Sequence, residues 1–341
     1  VQRDPELLGV DFTRAPSPRK PIVVARGRRE GGTLHLRSLD RLGTLAAFEA
    51  LLAEPGPWFG GFDLPFGLPR VFVEAQGLGD TAGAVVDELH RRCEGRRMAF
   101  RALVDTWGNG RPAGQRLVHR ATDRAGAPTS SSPLQTRYVP VGFMYFEGFA
   151  RVVRAGVHVP GLRCGDTRRV AVEAYPGRAA HGLIGARSYK NSEAADRTEA
   201  RSQIVRKLEL GEGGHGLRLE APRGLREAMI EDASGDPLDA MLCLVQAAWA
   251  ERQPGHGLPP QVDPVEGWIV GPASSPAPTT TLVGAATQPA SSMRSRIRPL
   301  GIAASRCSAA YSATGPNSNT RSSMPYADSS RDCVVSPKQR F

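Results

Sequence analysis

The chain has 341 residues, 40% apolar and 23% charged, enough to bury one large or two ordinary hydrophobic cores; a mostly disordered or collagen-like polypeptide is excluded. No apolar run approaches the ~20 residues that cross a bilayer, and VQRDPELLGVDF lacks the basic-then-apolar pattern of a secretory signal, so a soluble, cytoplasmic protein with no membrane partner is expected. The net charge of +10 is uneven: residues 272–341 hold eight Lys and Arg against two acids, leaving a mild +4 on residues 1–271 that does not by itself argue for a nucleic-acid groove.

In chain order, LLGVDF, KPIVVARGR and TLHLRSL read as three strands divided by the Pro- and Gly-bearing connections RAPSPRK and REGG. LGTLAAFEALLAE then puts Leu45, Phe48, Leu51 and Leu52 on one helical face, and Pro55-Gly56-Pro57 stops it. WFGGFD is a fourth strand, ending in Asp63 before a Pro/Gly turn. A helical segment around AGAVVDELHRRCE follows, then a Gly- and Pro-rich stretch from Trp107 to Gln135, long for a connection and so expected to be functional or mobile. A helix over Gly142–Ala155, a fifth strand RRVAVE and a basic helix in NSEAADRTEARSQIVRKLEL come next. The last ordered element is GDPLDAMLCLVQAAWAERQ, with Asp236 as its N-cap, Pro237 at the first helical position and Asp239 in the first turn. Beyond Gly271 the composition changes to 14 Ser in 70 residues without period, which reads as a basic, disordered tail over 271–341.

Five scattered cysteines, never in a C-x-x-C pair, indicate reduced thiols rather than a disulfide framework or a zinc knuckle. There is no G-x-x-x-x-G-K-[ST], H-E-x-x-H or G-x-S-x-G, which weighs against P-loop, zincin and α/β-hydrolase chemistry.

The chemistry-bearing signal is acidic. Three apolar strands end in a carboxylate before a turn, at Asp11, Asp63 and Glu173, and Asp236 and Asp239 share one face at the start of the final helix. Ligand sites of open α/β sheets gather at strand carboxyl ends, so these acids are placed to converge. Hard cations such as Mg²⁺ take oxygen ligands, and a pair of such ions can activate water and stabilise the leaving oxygen of a phosphodiester. Plainer readings exist for most: Asp236 as a helix cap, Asp239 as a dipole partner, Asp63 and Glu173 as turn formers. Asp11 has the weakest plain reading, since an unpaired carboxylate ending so apolar a strand is costly.

Three strands in hairpin series, a helix, an acid-bearing strand and a last helix opened by D-x-x-D is the order of an RNase H-like mixed five-stranded α/β sheet with flanking helices. The phrases GVDFTRAPSPRKPIVVA, GGFDLPFGLPR, HRATD, SPLQTRYVPVGFMYFEG, VAVEAYPG, SYKN and DPLDAMLCLVQAAWA resemble the domain-of-unknown-function 429 family of predicted RNase H-like nucleases, over about residues 6–270. DPLDAMLCL is also similar to the closing helix of RuvC-type resolvases. The resemblance implies Asp11 and Asp63 as ligands of Mg²⁺ or Mn²⁺, Asp239 as the helix-borne third ligand and Asp236 as its support. Glu173 joins the catalytic carboxylates, at a strand where resolvases place no main ligand. His119, Arg120 and Asp123 match the family's middle motif and are expected to contact substrate or position water. Lys190 and the run Arg201 to Lys207 are expected to contact phosphate. The implied activity is metal-dependent hydrolysis of nucleic acid. The alternatives are a module that binds nucleic acid without cutting it, and an actin-like ATP-binding or phosphotransfer protein.

Overall fold

Glu6–Asp11 (β1) is buried from Leu7 onward because both its faces are covered: Leu8 and Val10 enter one core, Leu7 the other. Ile22–Glu30 (β2) and Thr33–Leu42 (β3) extend it as an antiparallel meander, with Asp11 opposite Val23 and a bulge at Arg26/Gly27. Thr44 caps Leu45–Ala53 (α1), its side chain accepting from the Ala47 N–H at 3.0 Å. The helix buries Phe48, Leu51 and Leu52 against the sheet, as their spacing predicts. It carries the chain over to Trp58–Asp63 (β4), which lies parallel to β1. The computed structural model describes residues 4–272; the expected disorder of the tail falls outside the described residues.

The five expected strands are present in the order β3-β2-β1-β4-β6, where β6 is Asp166–Glu173, parallel to β4. The sheet is nevertheless seven-stranded, not five-stranded. Val157–His158 (β5) joins beside β6, and Arg218–Glu220 (β7) beside β3. Two- and three-residue strands carry no measurable alternation and are held by their neighbours, so period alone does not reveal them.

Helices cover both faces. On one lie α1, Arg70–Gln76 (α2), Ala82–Arg92 (α3), Arg97–Asn109 (α4) and the segment 141–154, around a Phe-rich core including Phe62, Phe66, Phe100, Phe146 and Phe149. The helix expected over Gly142–Ala155 is three pieces: Val141–Met144 (α6), a π-helical turn Tyr145–Phe149, and Ala150–Arg154 (α7). On the opposite face lie Pro176–Ile184 (α8), Ala195–Glu209 (α9), Arg223–Glu231 (α10) and Asp236–Arg252 (α11). Almost every side chain of α11 is buried, because the sheet takes one side of it and α8 and α10 pack on it elsewhere.

Two expectations are corrected here. Asp236 is not the N-cap of α11; Gly235 caps it at φ 81°, a left-handed conformation glycine adopts without strain, and Asp236 is the first helical residue. The stretch from Trp107 to Gln135 is not a mobile connection throughout. It contains the end of α4 and the short Ala121–Arg124 (α5), and it buries Arg120, Thr122, Asp123, Ser130 and Ser132.

Candidate metal centre

Parallel pairing puts Asp11 and Asp63 in register at the carboxyl ends of β1 and β4, and puts Gly9 opposite Gly61 two residues earlier. Side chains alternate along a strand, so each glycine shares its face with the aspartate that follows it. A Cβ on Gly9 would lie 2.2 Å from the Ala240 carbonyl oxygen and the Leu244 nitrogen, and one on Gly61 would lie 2.6 Å from the Cys243 carbonyl oxygen. Helix α11 therefore rests backbone-to-backbone on this bare patch. The close approach brings its first turn to the strand ends, and one carboxylate oxygen each of Asp11, Asp63 and Asp239 lies within 4.8 Å of the other two.

This is an expensive arrangement without a counter-charge. Asp239 is 1% exposed and Asp11 9%. Burial, then the negative charges of Asp239, Asp63 and Asp236, drive the Asp11 carboxyl well above the usual range. Burial pushes Asp63 up to about 7, with the Lys190 ammonium opposing and Asp239 and Glu173 adding to the rise. Asp239 is also raised by burial, but Lys190 and Tyr189 restrain it. The Tyr189 hydroxyl donates to Asp239 Oδ1 at 2.6 Å, and the Lys190 ammonium contacts Oδ2. Burial opposes the charge on Lys190, yet Asp239, Asp63 and Asp11 together hold it well above the ordinary lysine range.

The residues fit a hard divalent cation. Three carboxylates from three different elements offer one oxygen each, Asp11 and Asp239 are buried and Asp63 is half-buried, and their mutual repulsion is what a cation removes.

The other expected site residues are placed differently. Asp236 lies beside the cluster, but both its oxygens accept from Lys20 Nζ at 2.7 Å. Glu173 is outside the cluster; its carboxylate takes both terminal nitrogens of Arg120, at 2.6 and 2.8 Å, and the Phe66 N–H at 2.9 Å. Arg120 also binds Asp123 at 2.8 Å and the Glu266 carbonyl at 2.9 Å. Arg120 and Asp123 are thus joined in a buried, paired network, and Arg120 also borders the cavity beside Asp63; His119 is half-buried where the chain enters that network. Arg201, expected on phosphate, is also buried: it donates to the carbonyls of Ile230 and Tyr189 at 2.6 and 2.8 Å and so fixes the segment that carries Tyr189 and Lys190.

Tyr189, Lys20 and the glycine pair are functional neighbours that the expected site does not include. Tyr189 precedes Lys190 in a motif already singled out, and Gly9 and Gly61 each stand two residues before a strand-terminal acid; both were available as signals.

Among the described residues no helix is long and apolar enough to cross a membrane. The family model whose description is "Protein of unknown function (DUF429)" matches residues 9–264. No curated protein and no solved structure matches the chain.

Proposed function

The chain belongs to the DUF429 family, and from that premise we propose that it is an RNase H-like, metal-dependent nuclease that hydrolyses phosphodiester bonds of nucleic acid. The observation that carries this reading is the convergence of Asp11, Asp63 and Asp239 from two adjacent parallel strand ends and the first turn of the last helix. The strand order β3-β2-β1-β4-β6, antiparallel through β1 and parallel beyond it, supports the RNase H-like assignment. Its free thiols at Cys93, Cys164 and Cys243 accord with the cytoplasm as its compartment.

Asp11, Asp63 and Asp239 would hold Mg²⁺ or Mn²⁺. Such an ion, when bound, supplies charge neutralisation at the phosphate and a water of lowered pKa. The protein's own part is positional. The glycine contact fixes how far Asp239 stands from the strand ends, and Tyr189 orients its carboxylate. Lys190, half-exposed at the edge of the cluster, offers an ammonium to an approaching phosphate. The Arg120 network anchors the end of β6 beside Asp63.

The test is cleavage of labelled single-stranded, duplex, hybrid and four-way-junction substrates in Mg²⁺, Mn²⁺ and EDTA, with wild type beside Asp63→Asn. Cleavage lost in EDTA and in the variant is the expected result. Cleavage that survives both overturns the site, and ATP turnover with intact oligonucleotides overturns the reaction class.

A further inference from the structure

A cavity of about 250 Å³ opens directly beside the carboxylate cluster, with Asp63 and Lys190 in its wall. Buried Leu64, Pro65 and Ile269, half-buried Val141 and Met144 and exposed Val139 give it an apolar side. Arg120, Ser130, Ser131, Glu173 and Tyr175 give it a polar one. That volume lies just under the roughly 300 Å³ at which small-molecule pockets begin. It suits one heterocyclic ring system and is too small for a base pair.

The loop that supplies Val139 has a second feature. The Gly142 N–H closes it onto the Gln135 carbonyl at 2.8 Å, and the Val141 N–H bonds the Val139 carbonyl at 2.9 Å. At its tip Tyr138 is 96% exposed and held at φ 52°, a left-handed conformation that a bulky residue adopts only under constraint. An aromatic ring kept in solvent one residue from the Val139 wall of the cavity is a stacking platform. On the far side of Lys190 a second, basic groove of about 520 Å³ continues, lined by His181, Arg187, Asn191 and Arg197. Lys190 borders both spaces.

We propose that the nucleic acid bound at this site presents an unpaired base, which enters the cavity next to Asp63 while Tyr138 stacks on its neighbour and the groove beyond Lys190 carries the backbone. The proposal rests on the nucleic-acid reading above and narrows it to single-stranded or locally opened substrate. The apolar side of the cavity accepts any base face, its polar side offers hydrogen bonds to a base edge that only an unpaired base has free, and a cation strip tracks phosphates, so the preference is for unpairing.

The test is binding, so that it stays separate from cleavage. Two oligonucleotides carrying 2-aminopurine, one with the reporter in a bulge and one with it paired in a duplex, are titrated with the full chain in Ca²⁺. The expected result is at least tenfold tighter binding of the bulged probe, with its fluorescence changed on binding. Val141→Trp, which fills the cavity, brings that ratio close to one while leaving affinity for the duplex as it was. Tyr138→Ala, at a side chain that touches almost nothing else, weakens the bulged probe about tenfold. Thermal unfolding of both variants confirms that they are folded, and the Tyr138 variant stands alone if the other is not. Equal affinity for the two probes, or a preference untouched by either substitution, overturns the proposal and leaves the nuclease reading intact. Failure of every oligonucleotide to bind overturns both.

Discussion

Asp11 and Asp63 are direct partners across the β1–β4 pair, so two carboxylates stand side by side where an ordinary sheet would avoid like charges. Nothing in folding favours that juxtaposition: burial raises both carboxyls, and the negative charge of Asp63 raises Asp11 further. A binding site is the economical explanation for a pair that lowers the stability of the free protein.

Asp63→Asn should therefore act in opposite directions on stability and activity. Removing one buried charge relieves the cluster and raises the metal-free melting temperature by about 2–4 °C for each kcal/mol recovered. Cleavage falls by about a hundredfold or more, since a lost metal ligand removes several kcal/mol of transition-state stabilisation. Calorimetry in EDTA beside a cleavage assay checks both; a variant less stable than wild type would show that Asp63 is a structural acid.

The pH dependence follows from the sign of the same shifts. With Asp63 near 7 in the folded protein and close to 4 unfolded, the folded state binds more protons between those values, so metal-free stability decreases as pH rises through that window. A bound cation replaces those protons. The gain in melting temperature from Mg²⁺ or Mn²⁺ is expected to be small at pH 5 and several degrees at pH 8. A gain independent of pH would place the ion elsewhere.

Gly9→Ala tests the seat of α11. Its methyl group would meet backbone atoms of Ala240 and Leu244 at 2.2 Å, and backbone cannot rotate away as a side chain can. A cost of about 3 kcal/mol or more is expected, by denaturant unfolding. Even where the protein stays folded, a displaced Asp239 should abolish the metal-induced stabilisation.

Arg120 and Glu173 separate architecture from chemistry. Arg120→Met strands two buried acids, Glu173 and Asp123, and should cost about 3–5 kcal/mol. Glu173→Gln, still able to accept from Arg120 and Phe66, should cost less and leave the metal-induced thermal shift unchanged. A shift lost in Glu173→Gln would make Glu173 a ligand.

Much of this was legible in sequence for one reason. An acid ending an apolar strand has no cheap structural excuse, and that argument singles out Asp11; Asp63 and Asp239 have plainer readings as turn former and dipole partner and are joined to it by the family resemblance. The pairing of Arg120 with Glu173 was not legible, because the two lie 53 residues apart and meet only once β6 is docked. Asp236 was misread as a cap since Asp before Pro commonly is one; a preceding glycine in left-handed geometry does that work here, and Lys20 takes the carboxylate. Helix α4 carries Phe100, Val104 and Trp107 at its period, but Gly108 within its last turn and Gly110 at its end weaken the helical signal.

The tie between Lys20 and Asp236 spans 216 residues, joining the turn after the first strand to the opening of the last helix. Everything the cluster needs from β1 and β4 is made by Asp63, and nothing it needs from α11 exists until Asp236 has been added. A nascent chain that stops short of α11 has two aspartates and no third, so the site is completed only after all seven strands of the sheet have been made.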